Sequence, residues 1–251
     1  MTGISVYTGP YNNDIHKIRI IYLSRLTHSR RRGIFYTEKH TYGRYVKGLD
    51  MKDTREKIIR QAVAYFNNND YERASLKDIA GALGITKGGI YHYFSSKDEL
   101  FKESVIFTLG QMETEFSALT VRTGGLSIRD TLRLWFSLED IGASASESMG
   151  IDIYKDYENM AYMMFTAIRK FPEVRERIDE VYEGFISKLE TLLLSARREG
   201  EIRQDLDTAA LAFEICAYGE GAMLLGSLSP SIPLGQMSTR AFENFWNRIK
   251  A

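Results

Sequence analysis

A single cysteine, four prolines and four histidines in 251 residues exclude several classes of protein before any motif is read. One thiol, Cys216, cannot build a disulfide framework within the chain and suits a reducing compartment. Four prolines leave long stretches free to be helical. No apolar run approaches the roughly 20 residues that span a bilayer, which argues against a membrane protein and for the cytoplasm. No small-residue cleavage site follows an apolar core, so a secretion signal does not fit. His16, His28 and His40 fall in the first fifty residues, leaving only His92 beyond them for histidine-based catalysis or metal binding. There is no paired-histidine metal motif, glycine-rich phosphate loop or serine elbow. No metal, cofactor or catalytic residue is therefore expected.

Net charge is missing too, since 33 Lys+Arg balance 33 Asp+Glu. The balance is uneven along the chain: residues 1–50 carry +6, residues 51–100 carry +1 and residues 101–251 carry −7. An acidic body repels DNA in general, so any binding of nucleic acid must come from a local surface.

What is present centres on Thr86-Lys87-Gly88-Gly89-Ile90-Tyr91-His92-Tyr93-Phe94. Leu76, Ile79, Ala80 and Leu83 recur at one-face helical spacing upstream, and Ile90, Tyr93 and Phe94 do so within the stretch. Two short amphipathic helices therefore flank a break at Gly84, a helix-turn-helix arrangement. A glycine after Leu83 can take the left-handed conformation that turns the chain, and Thr86 can cap the second helix. Two glycines inside a helix each cost roughly 1 kcal/mol relative to alanine. They make sense where the backbone must come close to something, with Lys87 and the free N–H groups approaching a phosphate or groove edge.

The run from Thr54 to Leu100 resembles the DNA-binding domain of the TetR family of bacterial transcriptional regulators. The resemblance rests on Phe66, Tyr71, Ser75, Leu76, Ile79-Ala80, Leu83-Gly84-Ile85, Thr86-Lys87-Gly88, Ile90-Tyr91-His92-Tyr93-Phe94, Ser96-Lys97 and Glu99-Leu100. It covers about a fifth of the chain; the rest is similar only in length and helical character. It implies an all-α fold, with an N-terminal three-helix helix-turn-helix DNA-binding domain joined by a connecting helix to a helical ligand-binding and dimerisation domain. It also implies roles. Lys87, Tyr91 and His92 face the major groove, Gly88 and Gly89 permit approach, and Ser75, Thr86, Tyr93 and Lys97 match the family's phosphate contacts. Family members often carry threonine, alanine or serine where Gly89 stands, so a contact from that side chain is absent here.

Three domains are read from the chain. Residues 1–50 are a leader, either a disordered basic arm around Arg30-Arg31-Arg32 or sequence upstream of a natural start at Met51. Residues 51–100 are the DNA-binding domain. A stripe of Ile58, Ile59, Ala62, Val63 and Phe66 predicts its first helix, and Ser75 with Asp78, then Ser96 with Glu99, resemble capping boxes. Residues 101–251 form the body. The connecting helix carries Leu100, Phe101, Val105, Leu109, Met112, Phe116 and Leu119 and ends at Thr123-Gly124-Gly125. Beyond it helices are read at about 127–148, 151–169, 173–199, 207–227 and 238–250.

The resemblance gives the body two tasks, binding a small-molecule effector and holding a homodimer. Met112, Phe116, Trp135, Tyr157, Met160, Met163, Met164, Phe185 and Phe213 are candidates for an apolar pocket, each of them equally open to a plain core role. Leu211, Ile215, Ala222, Leu225, Phe242, Phe245 and Trp246, with small residues along the penultimate helix, are candidates for the dimer interface, or else pack inside one subunit. The expected partners are a double-stranded DNA operator, an effector and a second copy. The rival readings are a helical enzyme, a ligand carrier with a vestigial DNA-binding domain, and a non-specific DNA-packaging protein.

Overall fold

The computed structural model of the chain describes residues 51–137 and 153–251. The leader, with its Arg30-Arg31-Arg32 cluster, and the stretch 138–152 lie outside the described residues. Among the described residues the architecture is all-α: α1 (Met51–Asn68), α2 (Leu76–Ala82), α3 (Lys87–Tyr91), α4 (Lys97–Arg122), α5 (Ile128–Phe136), α6 (Ile153–Lys170), α7 (Pro172–Arg198), α8 (Thr208–Leu228) and α9 (Leu234–Ile249). One isolated antiparallel bridge, Ile202 to Lys250, ties the loop before α8 to the end of α9.

The apolar stripe of α1 explains its place. Ile58, Ile59, Ala62, Val63 and Phe66 are all buried, and α1 packs on α2, α4 and α6. The helix stops where the Asn68 and Asn69 amides each donate to a carbonyl four residues back, Ala64 and Tyr65, at 2.8 Å. Leu76, Ile79, Ala80, Ile90 and Phe94 are buried from the next two helices, and Leu100, Phe101, Val105 and Leu109 from α4. Phe101 lies edge-on to Phe66, their ring centroids 5.0 Å apart, and 4.5 Å from Tyr71. Burying side chains of this size contributes roughly 1.5–3 kcal/mol each, so a few of them outweigh the two helical glycines.

The caps follow local chemistry. Ser75 Oγ accepts the Lys77 N–H at 3.1 Å and Thr86 Oγ1 accepts the Gly89 N–H at 3.1 Å. Gly84 turns the chain between them at φ +67°. Two capping boxes differ from expectation. Asp78 does not reach back to Ser75; its carboxylate accepts the Tyr65 hydroxyl of α1 at 3.0 Å. Ser96 Oγ does accept the Glu99 N–H at 3.0 Å, but Glu99 returns to Ser95, accepting its N–H at 2.6 Å and its hydroxyl at 2.5 Å. Those bonds hold the Glu99 carboxyl below its ordinary pKa.

Three helix boundaries also differ. α3 is only five residues long, and His92, Tyr93 and Phe94 add one further turn through N–H bonds to Gly88 and Ile90. The helix expected over 127–148 ends at Phe136, because Ser137 leaves the helical region at ψ 81°. α9 begins at Leu234, four residues earlier than read, directly after Pro233. One expectation is corrected outright. Thr208–Leu228 is long and apolar enough, by length and composition, to cross a membrane. It contains Glu214 and Glu220 and packs on α7, α6, α5 and α9 as a helix of the bundle.

Candidate nucleic-acid interface

The short helix α3 is fixed from below and open above. Ile90 and Phe94 are wholly buried in the main core, which leaves Lys87, Gly88, Tyr91 and His92 outward. Tyr91 is 47% exposed. The Lys87 ammonium lies 5.5 Å from the centre of its ring, and His92 meets Tyr93 edge-on at 5.1 Å. Lysine, tyrosine and histidine thus form one continuous patch of donors, with Thr86 exposed at its start and Ser75 and Tyr93 half-buried at its edge.

Neither glycine of α3 is required by the protein's own interior. Both are helical. A Cβ on Gly88 would find nothing nearer than Thr86 Oγ1 at 3.7 Å, and one on Gly89 would meet Ile85 and Thr86 at 3.6 Å, ordinary contact distances. Crowding within the fold therefore does not account for either glycine.

Lys97 departs from its expected role. Its ammonium donates to the carbonyls of Tyr71, Glu72 and Ala74 at 2.8, 3.3 and 3.3 Å, using all three of its protons inside the protein. It also lies 4.3 Å from the centre of the Tyr71 ring. The Tyr71 hydroxyl donates to Asp98, and Lys170 at the end of α6 lies 4.4 Å from the centre of the same ring. Phe171 meets Phe101 at 6.3 Å. The turn before α2 is thereby clamped between α4 and the corner joining α6 to α7. Lys102 pairs with Glu173, and Arg177 with Glu113, along the neighbouring seam between α4 and α7.

The pocket candidates separate into groups. Tyr157, Met160 and Met223 form one buried cluster, with Met112, Met164, Ala222 and Leu234 against it. Phe116 stacks flat on Phe185 at 4.1 Å and meets Trp135 at 4.3 Å. Met163 belongs to the main core. Phe213 is 63% exposed and does not line an interior; it sits on the opposite side of α8 from Leu211 and Ile215. Sequence reasoning missed Tyr182 and Glu220. The Tyr157 hydroxyl donates to Glu220, and Tyr182 lies beside the same carboxylate. Burial, then Glu220, pushes both tyrosines above the ordinary phenol range, so they remain donors. Burial beside Glu220 also pushes the Cys216 thiol up to about 11. An acid in an otherwise apolar helix was the available signal.

The dimer candidates are corrected in the same way. Leu211, Ile215, Phe242 and Phe245 are buried within one protomer, and Ala222 and Trp246 are half-buried. Leu225 does face out, at 57% exposure, together with Phe213, Leu224 and Leu228. Ala210, Ala217 and Gly221 are exposed along the same side. Spacings of three and four place these small and apolar residues in one stripe.

Comparison with known proteins agrees with this geometry. The family described as bacterial regulatory proteins, tetR family, matches residues 58–104, and the tetracyclin repressor-like C-terminal domain matches residues 164–241. The fatty acid metabolism regulator protein of Bacillus subtilis is 26% identical over 171 residues, covering 62% of this chain and 76% of its own. A TetR transcriptional regulator from Chloroflexus aurantiacus superposes with a TM-score of 0.62 at 27% identity, covering 80% of this chain and 98% of that one. FadR from Bacillus subtilis, solved with stearoyl-CoA, shares the fold at a TM-score of 0.55 and 21% identity, over 75% and 95% of the two chains. These relatives are transcriptional regulators and not enzymes.

Proposed function

The chain belongs to the TetR family of bacterial transcriptional regulators, and we propose that it is a homodimeric repressor that binds a palindromic operator and leaves it when a small effector enters the body. Residues 51–100 are the reading head and residues 101–251 the effector-binding and dimerising body. The observation that carries this reading is the outward patch on α3: Lys87, Tyr91 and His92 beside a glycine that the fold itself does not need.

The patch is too small to select one site alone. A two-fold dimer sets two copies about 34 Å apart, one turn of duplex, so that two half-sites are read together. The outward stripe on α8 suits that pairing, since its small residues let a partner helix approach closely and its apolar ones supply area to bury. The protein then acts in the cytoplasm, where its operator lies.

Lys87 supplies charge to the phosphates, and Tyr91 and His92 offer hydrogen bonds to base edges. Thr86, Ser75 and Tyr93 border the backbone path. Effector bound in the body favours one tilt of α4, and the clamp on Tyr71 carries that tilt to the reading head. This is a shift between two populations, and it requires the effector to prefer one of them. A fatty-acid regulator among the relatives is in line with an amphipathic effector.

The test uses a duplex selected by the protein from a random pool, with a scrambled duplex beside it. Lys87→Ala and Tyr91→Ala each weaken binding to the selected duplex severely, by roughly tenfold or more, while sedimentation still shows a dimer. Unchanged binding by both variants overturns the assignment of the interface. Equal affinity for the two duplexes points instead to non-specific packaging.

A further inference from the structure

We propose that the effector is a lipophilic cation, an amine or quaternary ammonium on an apolar body, with Glu220 as its counter-charge; this rests on the ligand-responsive reading above.

Glu220 stands in α8, whose only other acid, Glu214, pairs with Arg248 on the outer side. The Glu220 carboxylate accepts the hydroxyl of Tyr157 of α6, and Tyr182 of α7 lies close enough to feel its charge. One helical turn or two along the same seam, Glu158 of α6 accepts the Ser227 hydroxyl of α8. Among the described residues neither carboxylate has a lysine or arginine partner. Among the described residues, then, two carboxylates stand between α6, α7 and α8 with hydroxyl donors as their partners. Hydroxyl donors satisfy lone pairs without supplying a counter-charge, and a half-buried carboxylate without one gains from a cation that can reach it.

The walls around Glu220 suit a cation with a greasy body. Met112, Met160, Met164 and Met223 come from three helices and pack with Tyr157. Methionine side chains are uncharged, polarisable and rotatable, so they rearrange around a guest at little cost. Tyrosine faces add attraction for an ammonium. From Tyr182 an aromatic path continues through Phe185, 5.9 Å away, to Phe116 and Trp135. The Trp135 Nε1–H at its far end is out of solvent and without a partner, a donor left for an acceptor on the guest. An anionic head group placed at the same seam would instead meet two charges of its own sign.

The experiment titrates the full-length protein with dodecyltrimethylammonium and with dodecanoate, both below their micelle concentrations, following tryptophan fluorescence. The two probes share a chain length and differ in the sign of the head group. The expected result is that the cation binds roughly tenfold or more tightly than the acid, and that Glu220→Gln removes most of that advantage, a tenfold change being about 1.4 kcal/mol. Equal binding of the two probes, or tighter binding of dodecanoate, overturns the proposal. So does a folded Glu220→Gln variant with undiminished affinity for the cation. Should that variant fail to fold, the comparison of head groups on the unaltered protein decides. Adding the cation to the complex with the selected duplex separates the two readings. Glu220-dependent binding that leaves the DNA complex intact removes the effector role while the head-group preference stands.

Discussion

Replacing Gly88 by alanine sets the fold and the proposed function against each other. Gly88 is helical, exposed and has room for a methyl group, its nearest prospective neighbour being Thr86 Oγ1 at 3.7 Å. Alanine in such a helical position is roughly 0.5–1 kcal/mol better than glycine. For a folded unit of roughly 150–250 residues, that raises Tm by about 1–4 °C. On the operator the same methyl stands between Lys87 and Tyr91, where the duplex must approach. Losing one close contact there costs roughly 1–3 kcal/mol, or about 5- to 150-fold in affinity. Gly89→Ala is the control, because its methyl would lie against Ile85 and Thr86 at 3.6 Å. It should raise Tm similarly and leave affinity within about twofold, a difference of roughly 0.4 kcal/mol. Melting curves and fluorescence anisotropy on a labelled, selected duplex give both quantities. A lower Tm for Gly88→Ala would refute the claim that the interior tolerates a side chain. A higher Tm with undiminished affinity would refute the claim that this surface meets DNA.

Other perturbations address separate parts of the molecule. Lys97→Met leaves three carbonyls of the 71–74 turn without their donor and should lower stability by roughly 1–3 kcal/mol, yet keep the salt dependence of DNA binding. Lys87→Ala should do the reverse, with little change in Tm and a salt slope smaller by about one; the same slope in both variants would contradict the division of labour between the two lysines. The pair Leu224→Glu and Leu228→Glu, introduced together on the outer stripe of α8, should give a folded monomer by sedimentation, and a persistent dimer would move the interface elsewhere. Cys216, its thiol pushed up to about 11, is almost entirely protonated at neutral pH. Maleimide labelling in the native protein should be slow at pH 7.5 and accelerate as pH rises towards that value. Rapid labelling at pH 7.5 would show that the thiol is not held in that environment.

What could be read from the sequence was local. The stripes of α1 and α4, the Thr86 cap and the turn at Gly84 each depend on residues within four or five positions of one another, and each stands as read. What could not be read depends on distant partners. Lys97 finds its carbonyls 23 to 26 residues away, and Asp78 finds Tyr65 at a separation of 13. No spacing rule reports such pairings. α8 posed a different difficulty. It is apolar on nearly every side, so periodicity does not tell Leu211 and Ile215, which face in, from Phe213 and Leu224, which face out. The same uniformity hid Glu220, whose partners sit on α6 and α7.

The outer strip of α8 gives a newly made protomer a choice of fates. On the proposed pairing, until a second copy arrives Phe213, Leu224, Leu225 and Leu228 stand open to chaperones and to the flanks of unrelated polypeptides. Pairing is second order in concentration, so scarcity lengthens that wait. A cell that keeps few copies of such a molecule gains by translating both from one message, close together and in quick succession.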